Sequence, residues 1–253
     1  MFTDEQFDRL EQEEHSITEE AIATLLLVIA SIHSDLESAI REFYQKYGKD
    51  GVVTWNEARK WVSEKDHRRR MTVLLLLISE KFDSALEEIT PTFKKMLKEV
   101  ALKESGFFDV PIDFDDLIEK AWGVDEATWL ERLTEDIELW KANVGNDLKR
   151  SMLKRDQIDD VLEQLNKRFM SIERVLERLG LTESTAFGSL ARRDIFKEIG
   201  VKKYRFFTRE DERTCEMCGS LHGLIFPISA YLVGETASPI HPRCRCWEVP
   251  IID

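Results

Sequence analysis

The sequence predicts a mostly α protein, with long amphipathic helices and helical hairpins followed by a small C-terminal α+β module with short strands. Three observations carry that reading. Apolar residues recur at steps of three and four through most of residues 1–200, the period of one helix face. Beyond Gly200 the pattern changes to short runs rich in aromatic and β-branched residues. All four cysteines fall between Cys215 and Cys246.

Taken in order, Leu25, Ile29, Ile32, Leu36, Ile40, Phe43 and Tyr47 mark one face of a helix over residues 18–47, ended by Gly48 and Gly51. Thr54, Trp55, Asn56 and Glu57 read as a capping box opening a short helix through Trp61. His67, Arg68, Arg69 and Arg70 precede a second long helix with Leu74, Ile78, Phe82, Leu86 and Ile89 on one side; Pro91 is expected to kink or restart it. Between Ser105 and Gly123 the periodicity breaks up, which suggests a boundary. Two amphipathic helices follow, one from Trp129 to Met152 and one from Ile158 to Leu179, with the spacing of an antiparallel hairpin. Gly180 should end the second, and Thr182, Glu183 and Ser184 should cap a further helix stopped by Gly200. Tyr204 to Phe207, Leu224 to Phe226 and Trp247 to Ile251 then read as three strands. The expected division is 1–110, an N-terminal helical region; 111–200, a helical hairpin region; and 201–253, the Cys/His module.

A chain of 253 residues with 43% hydrophobic content can build a substantial core. Lys+Arg 36 against Asp+Glu 49 gives a formal charge of −13, which disfavours a general nucleic-acid coat. Residues 201–253 hold seven basic and seven acidic side chains, so the negative excess sits in the remainder, where 29 basic meet 42 acidic. The longest apolar runs, Ala21 to Ala30 and Val73 to Ile78, fall short of the roughly 20 residues of a membrane span and read as buried helix. The acidic start, Met1 to Glu5, is unlike a secretory signal, and a cytoplasmic setting with no membrane partner is expected.

In a reducing compartment, clustered cysteines point to a metal rather than to disulfides. Cys215-x-x-Cys218 supplies one edge of a tetrahedron, and His241-x-x-Cys244 the other, the spacing and donor types of a structural zinc. Cys246 is the substitute fourth ligand, and buried or oxidised cysteines are the plain alternative. About fifty residues bury too little apolar surface to hold their own shape. His222, in Ser-Leu-His-Gly, is expected to serve a turn rather than the metal. Glu216, Glu248 and His222 are the nearest candidates for a base in a catalytic zinc site, the weaker reading. No catalytic residue is assigned.

Tyr204-Arg-Phe-Phe-Thr208, Asp211-Glu-Arg-Thr-Cys215, Cys218, Leu221-His-Gly223, Phe226-Pro227 and His241-Pro-Arg-Cys-Arg-Cys246 resemble the phage Mu F-like minor head protein domain of the phage head morphogenesis family. Trp129 in its helix, and Thr182-Glu-Ser184 ahead of Gly200-Val-Lys-Lys203, extend the resemblance over about 114–251. The family usually carries an acid where His222 stands and often a lysine where Leu224 stands. The resemblance implies a non-enzymatic minor capsid protein that associates with the portal protein and other capsid components and assists head assembly and DNA packaging or ejection. It would reside in the host cytoplasm during assembly and then in the virion, with a homo-oligomer possible. The alternative is a zinc-dependent enzyme such as a nuclease or toxin effector. Local phosphate contacts are expected from Lys202, Lys203, Arg205, Arg243 and Arg245, and less so from His67 to Arg70, which read better as solvated charges. There is no Walker loop, dinucleotide fingerprint, zincin helix or nucleophile elbow.

Overall fold

The computed structural model describes residues 3–53 and 65–252. The capping box at Thr54 lies outside them, as do the side chains of His67 to Arg70. In chain order come helices α1 (Asp4–Tyr47), α2 (Lys65–Phe108), α3 (Phe114–Leu117), α4 (Trp129–Lys154) and α5 (Ile158–Glu198). Strand β1 (Lys203–Phe207), helix α6 (Glu216–Leu221), strand β2 (Ile225–Pro227) and strand β3 (Trp247–Ile251) follow. The chain divides into two compact units, one of residues 1–24, 91–132 and 176–253, the other of residues 25–90 and 133–175.

Helix α1 starts fourteen residues earlier than the apolar period predicts. Thr3 and Gln6 form a reciprocal cap, Thr3 N–H to Gln6 Oε1 at 2.9 Å and Gln6 N–H to Thr3 Oγ1 at 3.3 Å. Phe7 and Leu10 continue the buried face, but Glu14 and Thr18 are buried on it as well, and these polar residues hide the stripe. By length and composition alone the stretch Glu5–Tyr47 passes for a membrane span; its Leu25, Ile29, Leu36 and Ile40 are buried within the second unit.

Two expected breaks are absent. Helix α2 runs through Pro91, which lies on the exposed face; the carbonyl it leaves without a donor belongs to exposed Glu87, where water can serve it. Helix α5 runs through Gly180. A Cβ at Gly180 would lie 2.9 Å from Ile22 Cγ1, so this glycine lets α1 approach closely rather than ending a helix. Thr182, Glu183 and Ser184 lie inside the helix and do not cap it; the Thr182 hydroxyl donates to the carbonyl of Arg178 one turn back, and that of neighbouring Thr185 to Leu181. The expected stop at Gly200 is present. Its φ is +76°, and Val201 N–H reaches Phe196 O at 2.9 Å in a closing C-cap.

Within the second unit α4 and α5 pair antiparallel: Ser151 bonds Gln164 at 3.1 Å and Arg168 bonds Asp147 at 2.8 Å. Leu133, Ile137, Trp140, Val144, Leu148 and Met152 of α4 are buried, as are Val161, Leu165, Phe169 and Ile172 of α5. In the first unit Trp129 stacks on Phe93 with centroids 5.6 Å apart. Trp122 donates to Glu183 at 2.8 Å while Arg132 lies over its ring at 4.2 Å and pairs with Glu183 at 2.9 Å. Trp129 and Trp140 are therefore core side chains.

The three strands form one antiparallel sheet in the order β2-β1-β3, with Tyr204 opposite Phe226 and Pro250, and Phe206 opposite Glu248. Alternation on β1 buries Tyr204 and Phe206 and exposes Lys203 and Arg205.

Candidate metal centre

Strand β1 leads into a turn held by Asp211, which accepts from Arg213 N–H at 3.1 Å and exchanges bonds with Thr214. Cys215 then caps α6, its Sγ accepting from Cys218 N–H at 3.4 Å, and this single short helix places Cys215 and Cys218 on one side of a turn. The second knuckle closes with Cys244 N–H to His241 O at 3.1 Å. It is held from α5: Thr182 Oγ1 accepts from Arg243 N–H at 3.1 Å, and Thr185 Oγ1 donates to Cys244 O at 3.3 Å. Arg245 grips Asp211 with both guanidinium nitrogens at 2.7 Å, fastening one knuckle to the turn before the other.

All four cysteines are free thiols, and the cluster is itself the module's core: Cys218, Cys244 and Cys246 pack with Phe206, flanked by Cys215, Leu221, Phe226 and Ile240. Donor atoms of Cys215, Cys218 and His241 all lie within 4.8 Å of one another, and so do those of Cys218, Cys244 and Cys246. Cys218 belongs to both groups. Cys218 Sγ and Cys244 Sγ are 3.8 Å apart, and a tetrahedron with zinc–sulfur bonds of about 2.3 Å has edges of about 3.8 Å. A small cavity of about 20 Å³ is lined by Cys215, Cys218, His241 and Cys246 among others. His241 Nδ1 lies 2.9 Å from Pro242 O; donating there leaves Nε2 as the ligand nitrogen. The donor set and spacing fit a thiophilic metal.

The thiols do not ionise alike. Hydrogen bonds from Cys218 and Cys246 hold Cys244 far below the usual thiol value, and those same bonds, with burial, push Cys218 and Cys246 up. The Cys218 backbone N–H lowers Cys215. Burial acts to lower His241, but the Pro242 carbonyl and the nearby Cys244 and Cys215 outweigh it and raise the imidazole above its ordinary value.

His222 lies with the turn, as its sequence context predicts. Its Nδ1 accepts from Thr208 N–H at 3.2 Å and is 3.1 Å from Thr208 Oγ1, and its ring meets Phe207 edge-on. A carboxylate at this position could accept the same bonds, so an acid and an imidazole are interchangeable in this turn. Glu216 is exposed on α6. Glu248 is fully buried, accepting from Ser238 N–H at 2.7 Å and Tyr231 Oη at 2.8 Å and pairing with Arg192 at 3.4 Å. Its geometry is that of an anchor between β3 and α5, and burial raises its carboxyl despite Arg192.

Of the expected phosphate contacts, Lys202, Lys203 and Arg205 are exposed on or beside β1. Arg243 pairs with Glu177 at 2.7 Å and Arg245 with Asp211, so both are engaged by acids. Arg192, Thr182, Thr185 and Asp211 escaped the sequence reading as supports of the module; only the Asp211–Thr214 turn spacing carries a local signal for its role.

A three-stranded sheet closing over a Cys/His cluster, carried at the end of a long helix, defines a small Cys/His module on a helical support. Residues 142–249 match the family model of the phage Mu protein F like proteins, and this part of the chain is similar to that phage-related family. The match takes in the second half of α4, all of α5 and nearly all of the module, and begins later than the resemblance near residue 114. No curated protein matches the chain, and no solved structure does.

Proposed function

We propose that the chain is a minor capsid protein of the head morphogenesis type, which associates with the portal vertex and assists head assembly and DNA packaging or ejection. The family match over 142–249 carries this reading. The module is a docking element whose fold depends on structural zinc held by Cys215, Cys218, His241 and Cys244. Cys244 is favoured by its 3.8 Å approach to Cys218; Cys246, which lines the small cavity with the other three, is the alternative. Zinc here would act as a cross-link between the two knuckles.

A structural role is supported against the competing zinc enzyme by the donor surplus. Five thiol and imidazole ligands crowd the site, whereas catalytic zinc keeps a position open for water. Glu248, the nearest buried carboxylate in sequence, is committed to Arg192, Tyr231 and Ser238. The exposed Lys202, Lys203 and Arg205 are the basic side chains available to DNA phosphate.

Co-purification with a phage portal protein, together with mass spectrometry of intact particles, tests the assignment. Presence in particles and portal-dependent recovery are expected; absence from both overturns it. Nuclease activity lost in a folded Glu216→Gln or His222→Ala variant would favour the enzyme.

A further inference from the structure

Beside the cysteine cluster, within the first unit, lies a cavity of about 350 Å³. Its size is that of a small-molecule site, roughly 300–1,000 Å³. Helices α1 and α5 form one side of it, with Gln12 and Thr18 from the first and Ser184 and Ser189 from the second. Five arginines line it as well: Arg209 and Arg213 from the turn after β1, Arg243 and Arg245 from the second knuckle, and Arg192 from α5. They come from three separate stretches of chain, and the fold turns them all onto one space.

Acids anchor four of these side chains without using up their donors. Arg209 gives one nitrogen, Nη1, to Asp8 at 3.2 Å; Arg243 gives Nη2 to Glu177 at 2.7 Å; Arg245 holds Asp211 through Nη1 and Nη2. Each guanidinium carries five N–H donors in a fixed fork, so these pairs orient the forks and leave N–H groups over. The pairs are part-exposed, and ion pairs of that kind are weak competitors for a stronger acceptor. Arg213 is exposed, and its guanidinium has no ion pair or hydrogen bond among the described residues. The acids on the wall are themselves occupied. Glu11 is bound by Arg192 at 2.7 Å. Burial and the neighbouring Glu104 carboxylate raise Glu14, and the hydrogen bond between these two requires a proton.

We propose that this cavity binds one phosphate group, as inorganic phosphate or as the phosphomonoester of a small molecule, through Arg209, Arg213, Arg243 and Arg245. A guanidinium fork matches phosphate oxygens bidentately. A carboxylate is planar, with about four lone-pair sites, fewer than four forks can fill. A phosphomonoester carries nearly two charges and three acceptor oxygens and takes donors from several directions at once. The site is independent of the capsid assignment. The same four arginines line the smaller cavity at the cysteines, so the competing role for them is to offset thiolate charge there.

Calorimetric titration of the zinc-loaded full chain in phosphate-free buffer near neutral pH tests the site, with inorganic phosphate and a nucleoside monophosphate as the two probes. One ligand per chain is expected, and the tighter of the two probes identifies the source of the phosphate. Affinity should fall at least about tenfold in Arg213→Ala and in Arg209→Ala, and less in Arg213→Lys, which keeps the charge. Arg213 is exposed and anchors nothing, so its variants are expected to fold. Should Arg209→Ala fail to fold, wild-type crystals soaked in tungstate decide the matter by locating the anion among the arginines or elsewhere. No saturable binding of either probe at millimolar concentration, affinity unchanged in the arginine variants, or an anion located elsewhere would overturn the proposal. Variants that lose zinc while keeping phosphate affinity would assign the arginines to thiolate charge and overturn it equally.

Discussion

The two compact units bury different chemistry. In the unit of residues 25–90 and 133–175 the described buried side chains are apolar except Ser151. Every buried carboxylate and guanidinium among the described residues lies in the other unit: Glu14, Glu104, Glu183, Arg192 and Glu248. The cysteine cluster lies there too. Apolar packing is sufficient to hold helices at native density, whereas buried charges persist only where each has a partner. The second unit thus reads as scaffold, and the first as the place where specific chemistry is kept.

The largest break in this comparison should come from the metal. Cys218→Ser removes the thiol common to both donor groups, and a structural zinc supplies on the order of 10–16 kcal/mol of apparent binding energy. Loss of zinc and of near-ultraviolet circular dichroism from the module, with helical signal retained, is expected; a zinc-free protein with an intact sheet would contradict it. Cys244→Ser and Cys246→Ser should differ, only one of them losing zinc. Arg192→Ala leaves buried carboxylates unpaired and should destabilise by about 3–5 kcal/mol in urea unfolding. Leu36→Ala, in the apolar unit, should cost about 2–5 kcal/mol without changing zinc content.

A smaller effect concerns pH. Burial raises Glu11 from 4.5 to about 7, so between those values the folded chain holds a proton that the unfolded chain has lost. This group's contribution to stability should therefore grow as pH falls from about 7 towards 4.5 and fade as pH rises through that window. Unfolding of wild type beside Glu11→Gln isolates it, the variant lacking that slope. The exposed Arg9–Glu13 pair, 3.2 Å apart, should matter least, Arg9→Ala changing stability by under about 1 kcal/mol.

How much of this was legible in the sequence follows the same division. The apolar unit's helices and the sheet's three strands obey simple periods, and their residues stand where the periods place them. Misreadings arose where one residue serves two purposes. Gly180 looks like a terminator but permits a close approach to Ile22. Thr182 looks like cap chemistry but bonds back along the helix and, with Thr185, holds the second knuckle. Thr18 interrupts the apolar stripe of α1 because it bonds Ser184, and Glu14 because it faces the carboxylates of Glu11 and Glu104. The cysteine spacing announced a Cys/His cluster able to ligate a metal, yet which of Cys244 and Cys246 would complete a four-ligand set depends on distances that spacing does not contain. The carboxylates of Glu11 and Glu104 lie far apart in the chain, and only the fold brings them together.

The measurement that bears most directly on the central claim is metal and thiol stoichiometry of the reduced, purified chain. The account predicts one zinc per chain and cysteines that resist thiol reagents until the metal is chelated. Protein that contains no stoichiometric zinc and whose four thiols react freely while it remains folded would contradict it.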